Sequence, residues 1–216
     1  MSFELQPVLI GELLELRPLR ADDFRELYSA ASDPLVWEQH PDSDRYREEV
    51  FREFFRGALE SGGALVALDR ADGRVIGSSR YHGYDEEKSE VEIGWTFLAR
   101  SHWGGAYNGE MKRLMLRHAF RFVESVVFLV GAGNLRSRRA VEKIGGVRVG
   151  TSDRGGRESL VYRVAASAFE PGPAGRGGAA APDEVDGDAR QREQVADAGS
   201  LARDEGEVDD EQRRER

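Results

Sequence analysis

The strongest chemical signal in the chain is the run Trp103-Gly104-Gly105-Ala106-Tyr107-Asn108-Gly109. Two adjacent glycines and a small residue let the backbone come close to a ligand. If a helix begins here, its first N–H groups have no partner within it, and its dipole favours negative charge. That combination is an anion site. A P-loop needs Lys and Ser/Thr after its last glycine, but Glu110 and Met111 follow Gly109. A dinucleotide fingerprint needs glycine where Ala106 stands, and an acidic residue about 20 residues on at the end of a second parallel strand. Two readings remain: a pyrophosphate held by backbone amides without a metal, or a glycine-rich turn with no ligand.

The flanking elements decide how such a turn is held. From Ser89 to Leu98, Val91, Ile93, Trp95 and Phe97 alternate with Glu90, Glu92, Gly94 and Thr96, the period of a strand. From Met111, the apolar residues Leu114, Met115, Ala119 and Phe122 recur at helical spacing. The unit is strand, glycine turn, long helix.

Around it, strands are predicted over 12–19, 64–68, 74–81, 126–130, 147–149 and 159–164. Helices are predicted over 21–31, from about 42 to 59, and over 136–144. Tight turns such as Asp69 to Gly73 make adjacent strands antiparallel, so the expected fold is α/β with a mixed, mostly antiparallel sheet and about four helices.

The composition divides near Glu170. Residues 171–216 contain no aromatic residue, 13 acidic residues and 7 arginines, a net of −6, which leaves −3 of the chain's −9 for residues 1–170. The chain is therefore expected to be one domain over 1–170 with a disordered acidic tail over 171–216. A nearly balanced domain argues against nucleic-acid binding. With no cysteine and four scattered histidines, no metal site is expected. No leader or membrane-length apolar run is evident, so the expected location is the cytoplasm.

Two motifs carry a family resemblance. Trp103, Gly104, Ala106, Tyr107 and Glu110 resemble the acetyl-CoA loop W-G-x-G/A-Y-x-x-E of the GNAT superfamily, in its branch of ribosomal-protein N-terminal acetyltransferases. Asn134 to Gly146 resembles that family's N-x-x-S-x-x-x-x-E-K-x-G-F, with Gly146 in place of the final Phe. Ser101 stands where Gln or Arg is frequent, and Val141 occupies a helix that often carries a Tyr.

The resemblance implies the GNAT fold over about residues 9–164, in which the strands 90–98 and 126–130 run parallel and splay apart. Acetyl-CoA is the implied co-substrate. The strand end at Trp95 and Phe97, the backbone of His102, Trp103, Gly104, Gly105, Ala106, Tyr107 and Asn108, and the side chain of Asn134 are the implied coenzyme contacts. Arg138, Arg139 and Lys143 are expected at its phosphates unless they form a solvated helix face. Transfer to an amine needs a neutral nitrogen, so a carboxylate near the splay is the expected base, Glu92 before Glu90. Ser137 is the remaining polar candidate for the proton of the leaving thiolate, or for a coenzyme contact. Trp37, His40, Arg80, Tyr81, His82 and Glu90 are the implied acceptor-site residues; Trp37 and Tyr81 also fit a core role. The expected function is N-acetylation of a protein N-terminus or a small amine. The alternatives are an acyl-CoA sensor with little turnover and an interaction protein acting through its tail. Relatives are often homodimers, so that assembly is a further expectation.

Overall fold

The structure is a computed structural model that describes residues 3–153, 156 and 158–169. The expected acidic tail lies outside the described residues.

One eight-stranded sheet runs in the order β1-β2-β3-β4-β5-β6-β8-β7. Its strands are β1 (Leu9–Ile10), β2 (Leu14–Pro18), β3 (Ala64–Asp69), β4 (Val75–Asp85), β5 (Glu90–Leu98), β6 (Ser125–Gly131), β7 (Val147–Asp153) and β8 (Glu158–Ala165). The helices are α1 (Phe24–Ala31), α2 (Glu48–Glu60), α3 (Tyr107–Ala119) and α4 (Leu135–Glu142). The predicted element order holds, with a two-residue β1 added in front. All neighbouring strands are antiparallel except β5 and β6.

Two apolar cores sandwich the sheet. One face packs α1 and α2 through Leu27, Ala31, Phe51, Phe55 and Ala58 against Val66, Val75 and Phe97. The other packs Met111, Met115, Leu116 and Ala119 of α3 against Leu65, Tyr81, Val91, Ile93, Val126 and Phe128. The sheet is thus covered on both sides.

Several boundaries differ from the sequence reading; β7, expected over 147–149, runs to Asp153. α2 starts at Glu48 rather than near Asp42, because residues 38–47 form successive turns in which Asp42 pairs with Arg45. β4 runs on to Asp85, with register shifts against β5.

Glu110 fastens α3 to the sheet edge. Its carboxylate accepts the N–H groups of Glu12, Leu13 and Leu14 at 2.7, 2.9 and 3.0 Å. Gly11 has no side chain because a Cβ there would sit 2.5 Å from that carboxyl. Glu110→Ala strands three amides, so it is expected to cost about 3 kcal/mol of folding stability. Urea unfolding checks this: the midpoint falls with the slope unchanged, and a loss below about 1 kcal/mol would contradict the tether.

Candidate functional site

β5 and β6 pair only at Glu90–Ser125, Val91–Val126 and Glu92–Val127. Beyond Glu92 the two strands part. On its other side β5 carries a bulge against β4: Ser78 pairs with Phe97 and Arg80 with Gly94, so an extra residue is accommodated at Trp95–Thr96, and Trp95 takes φ +52°. A non-glycine residue in that region is strained, and such strain is held only where the surroundings fix it. The parting and the bulge open a cavity of about 170 Å³ at the carboxyl ends of the parallel pair.

The cavity walls come from five places. β5 supplies Thr96, Phe97 and Leu98, and the following loop supplies His102, Trp103, Gly104 and Gly105. Asn108 and Lys112 of α3 and Asn134, Arg136 and Ser137 at the start of α4 add polar groups, and Ala140 of α4 adds an apolar one. Val36, Trp37 and His40 close it from the α1–α2 side. Trp37 is held by its indole N–H on the Ala31 carbonyl at 2.7 Å, and the His40 ring meets it edge to face.

The glycine turn leads into α3 as its sequence suggested. Gly104 has φ +70°, a conformation that favours glycine. The first amide to find a helical acceptor is that of Glu110, on the Ala106 carbonyl at 2.8 Å. The N–H groups of Gly104, Gly105, Ala106, Tyr107, Asn108 and Gly109 meet no acceptor among the described residues. A Cβ built on Gly104 or Gly105 meets nothing within 4 Å. Open amides facing open space at a helix start make an anion cradle, and a diphosphate fits this donor set.

Asp69, at the end of β3, fixes this loop and was not singled out from sequence. Its Oδ2 meets His102 Nε2 at 3.1 Å and accepts the Tyr107 hydroxyl at 3.1 Å. Its Oδ1 accepts the Ala71 N–H at 2.9 Å. That backbone bond, then His102 and Tyr107, hold the carboxyl below the usual range against desolvation. The side chains of His102 and Tyr107 therefore anchor the loop from beneath, although His102 also borders the cavity. Trp103 donates its indole N–H to the Leu98 carbonyl at 2.9 Å, and the Arg136 guanidinium lies 3.9 Å above its ring. Arg136 also reaches Glu38 at 3.3 Å, so one cation ties α4, the loop and the 35–39 segment together.

Asn134 plays a structural part: its Oδ1 caps α4 by accepting the Ser137 N–H at 2.9 Å. That leaves only its amide N–H₂ for the cavity, beside the Ser137 hydroxyl. Gly146, where the family motif has Phe, sits where a Cβ would lie 2.8 Å from the Val141 carbonyl oxygen. The chain closes tightly on Val141 there and has no room for a side chain.

The expected acceptor residues divide. Arg80, His82, Glu92 and Trp95 gather on the face covered by α1 and α2. The Arg80 guanidinium lies 4.6 Å from the Trp95 ring, and the His82 ring meets Trp95 edge to face. Glu92 is 5 % exposed and its Oε1 lies 3.1 Å from where a Gly94 Cβ would stand, just before the bulge. Arg80 is 7 % exposed, and burial, then repulsion from Arg45, push its pKa down to about 10 although Glu92 opposes the shift. Its Nε has no hydrogen-bond partner among the described residues.

Others lie elsewhere. Tyr81 is buried on the opposite face, where its hydroxyl donates to the Met115 carbonyl at 2.7 Å. Glu90 is bound to Arg163 at 2.7 Å and to the Ser125 hydroxyl at 3.0 Å, at the end of β5 remote from the bulge. Arg138 spends its donors on Tyr162 and the Ala132 carbonyl. Arg139 and Lys143 are exposed on α4 and do not line the cavity; neither does Trp95. Among the described residues no group of three His, Cys, Asp or Glu side chains forms a metal site, and no helix is long and apolar enough to cross a membrane.

Comparison with known proteins meets this geometry. The family model for the acetyltransferase (GNAT) domain matches residues 14–147. A putative acetyltransferase from T. thermophilus is 30 % identical, covering 73 % of this chain and 88 % of its own, with a TM-score of 0.61. A GCN5-related N-acetyltransferase from Brucella melitensis shares the fold at 21 % identity, covering 76 % and 80 %, with a TM-score of 0.66. RimJ of Mycobacterium smegmatis, solved in complex with CoA-disulfide, shares it at 20 % identity, 75 % and 86 % coverage and a TM-score of 0.54. No curated protein matches the sequence.

Proposed function

This chain belongs to the GNAT acetyltransferases, and on that premise we propose that it moves an acetyl group from acetyl-CoA to a primary amine, a protein N-terminus or a small molecule. The observation that carries the proposal is the unbroken run of open amides from Gly104 to Gly109, set beside the parted ends of β5 and β6. A helix-start cradle suits the coenzyme's diphosphate, and strands that stop pairing leave backbone groups for an extended arm to join, as an added strand would. The CoA complex of the mycobacterial relative supports the same occupant here.

Bound acetyl-CoA supplies an acyl carbon for the amine to attack and a thiolate to leave. The amine must arrive neutral, which a free α-amino group with pKa about 7.7–8 largely does at cell pH. Glu92 takes its proton. The carboxylate lies three residues before Trp95 of the bulge and outside the cavity wall, so the proton reaches it through water. Backbone N–H groups of β5 beyond Glu92, which no longer face β6, are placed to stabilise the developing oxyanion. Trp37 and His40 on one side, and Arg80 and His82 around Trp95 on the other, border the approach of the acceptor. The buried Arg80 charge favours an acceptor that carries a carboxylate.

Thiol release from acetyl-CoA in the presence of N-terminal peptides, polyamines or aminoglycosides tests the activity. Release with one class, and acetylated product in its mass spectrum, is the expected result. Coenzyme binding with no release for any amine would instead establish a sensor.

A further inference from the structure

Among the described residues of α3, two charged side chains turn inward: Glu110, already bound to the amides at the sheet edge, and Lys112. Lys112 sits one turn after Asn108 and shares a helical stripe with Leu116 and Ala119, both fully buried. It is itself 4 % exposed. Its ammonium lies 5.0 Å from the centre of the Phe128 ring on β6, and it lines the cavity together with Thr96, Asn134 and Ser137. No carboxylate acts on it among the described residues, yet its Nζ is not one of the sealed, unpartnered polar atoms. Lys112 therefore borders the cavity without a carboxylate partner of its own.

We propose that Lys112 is the acid that protonates the departing coenzyme A thiolate. This rests on the acetyl-transfer reading above and adds a residue to it. The family motif's helix offers Val141 where a Tyr is frequent, and the Ser137 hydroxyl is too weak an acid to serve alone. In the step, the amine nitrogen bonds to the acyl carbon, the carbon–sulfur bond breaks and its electron pair goes to sulfur. One Nζ–H bond of Lys112 then breaks and an S–H bond forms. Neutral Lys112 recovers its proton from water once the products leave.

The electrostatics agree. Burial alone pushes the Lys112 ammonium down to about 8, so it is charged at neutral pH yet releases a proton readily. The other titratable groups lining the cavity are His40, His102 and Arg136. His40 faces Arg45 at 3.3 Å, His102 is bound to Asp69, and Arg136 to Glu38. From β5 the cavity is walled by Thr96, Phe97 and Leu98, and from β6 the Phe128 ring lies against the Lys112 ammonium; none of these titrates.

The test compares the wild type with Lys112→Met and Lys112→Arg. The methionine variant removes a buried charge and keeps the stem, so it is expected to fold at least as firmly at neutral pH. The first readout needs no acceptor: the ultraviolet absorbance of the thiolate follows the titration of bound coenzyme A. The bound thiol is expected to ionise at a pH lower by about one unit in the wild type than in Lys112→Met. The second readout is the pH profile of kcat. The wild-type rate falls above about pH 8, as Lys112 loses its proton. Lys112→Met and Lys112→Arg lose about 10²-fold in kcat and also lose that alkaline limb, with coenzyme affinity within a few-fold of wild type. Unchanged thiol titration and unchanged kcat in Lys112→Met would overturn the assignment, as would acetyl found on Lys112, which would make it an acceptor. A wild type that binds no coenzyme A would overturn the acetyl-transfer reading itself.

Discussion

Gly105→Asp is expected to weaken coenzyme A binding by about 100-fold while leaving the thermal midpoint of the free protein in place. A Cβ at this position meets no protein atom within 4 Å, so the fold tolerates it. The space it enters is the mouth of the cradle, where the amides of Gly104 to Gly109 point without acceptors. An aspartate there accepts those amides itself and sets a negative charge against a diphosphate. Loss of two charge-assisted hydrogen bonds at about 1.5 kcal/mol each accounts for the factor. Isothermal titration with coenzyme A checks it. An affinity within about threefold of wild type would mean that the diphosphate lies elsewhere.

Glu92→Gln is expected to lower kcat by about 10²- to 10³-fold, with coenzyme affinity little changed. The amide keeps the shape of the side chain folded over Gly94 and removes its ability to take a proton. Because Glu92 opposes the lowering of the Arg80 pKa, the variant also loses some stability, so thermal melting accompanies the rate measurement. Steady-state rates at saturating acetyl-CoA, over a range of pH, decide the matter. A variant that stays folded and keeps kcat within about threefold of wild type would show that the amine loses its proton to water alone.

Much of this site was legible in the sequence because its signals are local. Alternation in β5, the glycine turn and the apolar stripe of α3 each need only a window of a few residues. The capping role of Asn134 was also visible in principle, since Asn before a helix with Ser three residues on is a local pattern. What the sequence hid is long-range. Asp69 reads as the first residue of a hairpin turn, and only the fold brings it under His102 and Tyr107. Glu90 shares a strand face with Glu92 and ranks second to it as the base, and only the fold shows that β8 delivers Arg163 to Glu90. Tyr81 shares a strand with Arg80 and His82 but faces the other core, as strand period requires. Lys112 was not singled out from sequence, where it stands beside Arg113 and one turn from Arg117. Its spacing to Leu116 and Ala119 was the available clue, masked by those cationic neighbours.

The parting of β5 and β6 came from the resemblance, and no local pattern encodes it. The structure supplies its cause. β4 holds β5 with a bulge at Trp95, which turns the strand away from β6 just after Glu92, and β6 follows β8 in an unbroken antiparallel register to Gly131. Each strand keeps the partner with more hydrogen bonds, and the gap opens between them.

The most direct measurement is calorimetric titration of coenzyme A into the full chain, repeated with inorganic pyrophosphate present. The account predicts one molecule bound per chain in the micromolar range, with pyrophosphate competing for the amides of Gly104 to Gly109. A folded protein that gives no heat with coenzyme A, or binding that pyrophosphate and Gly105→Asp both leave untouched, would contradict it.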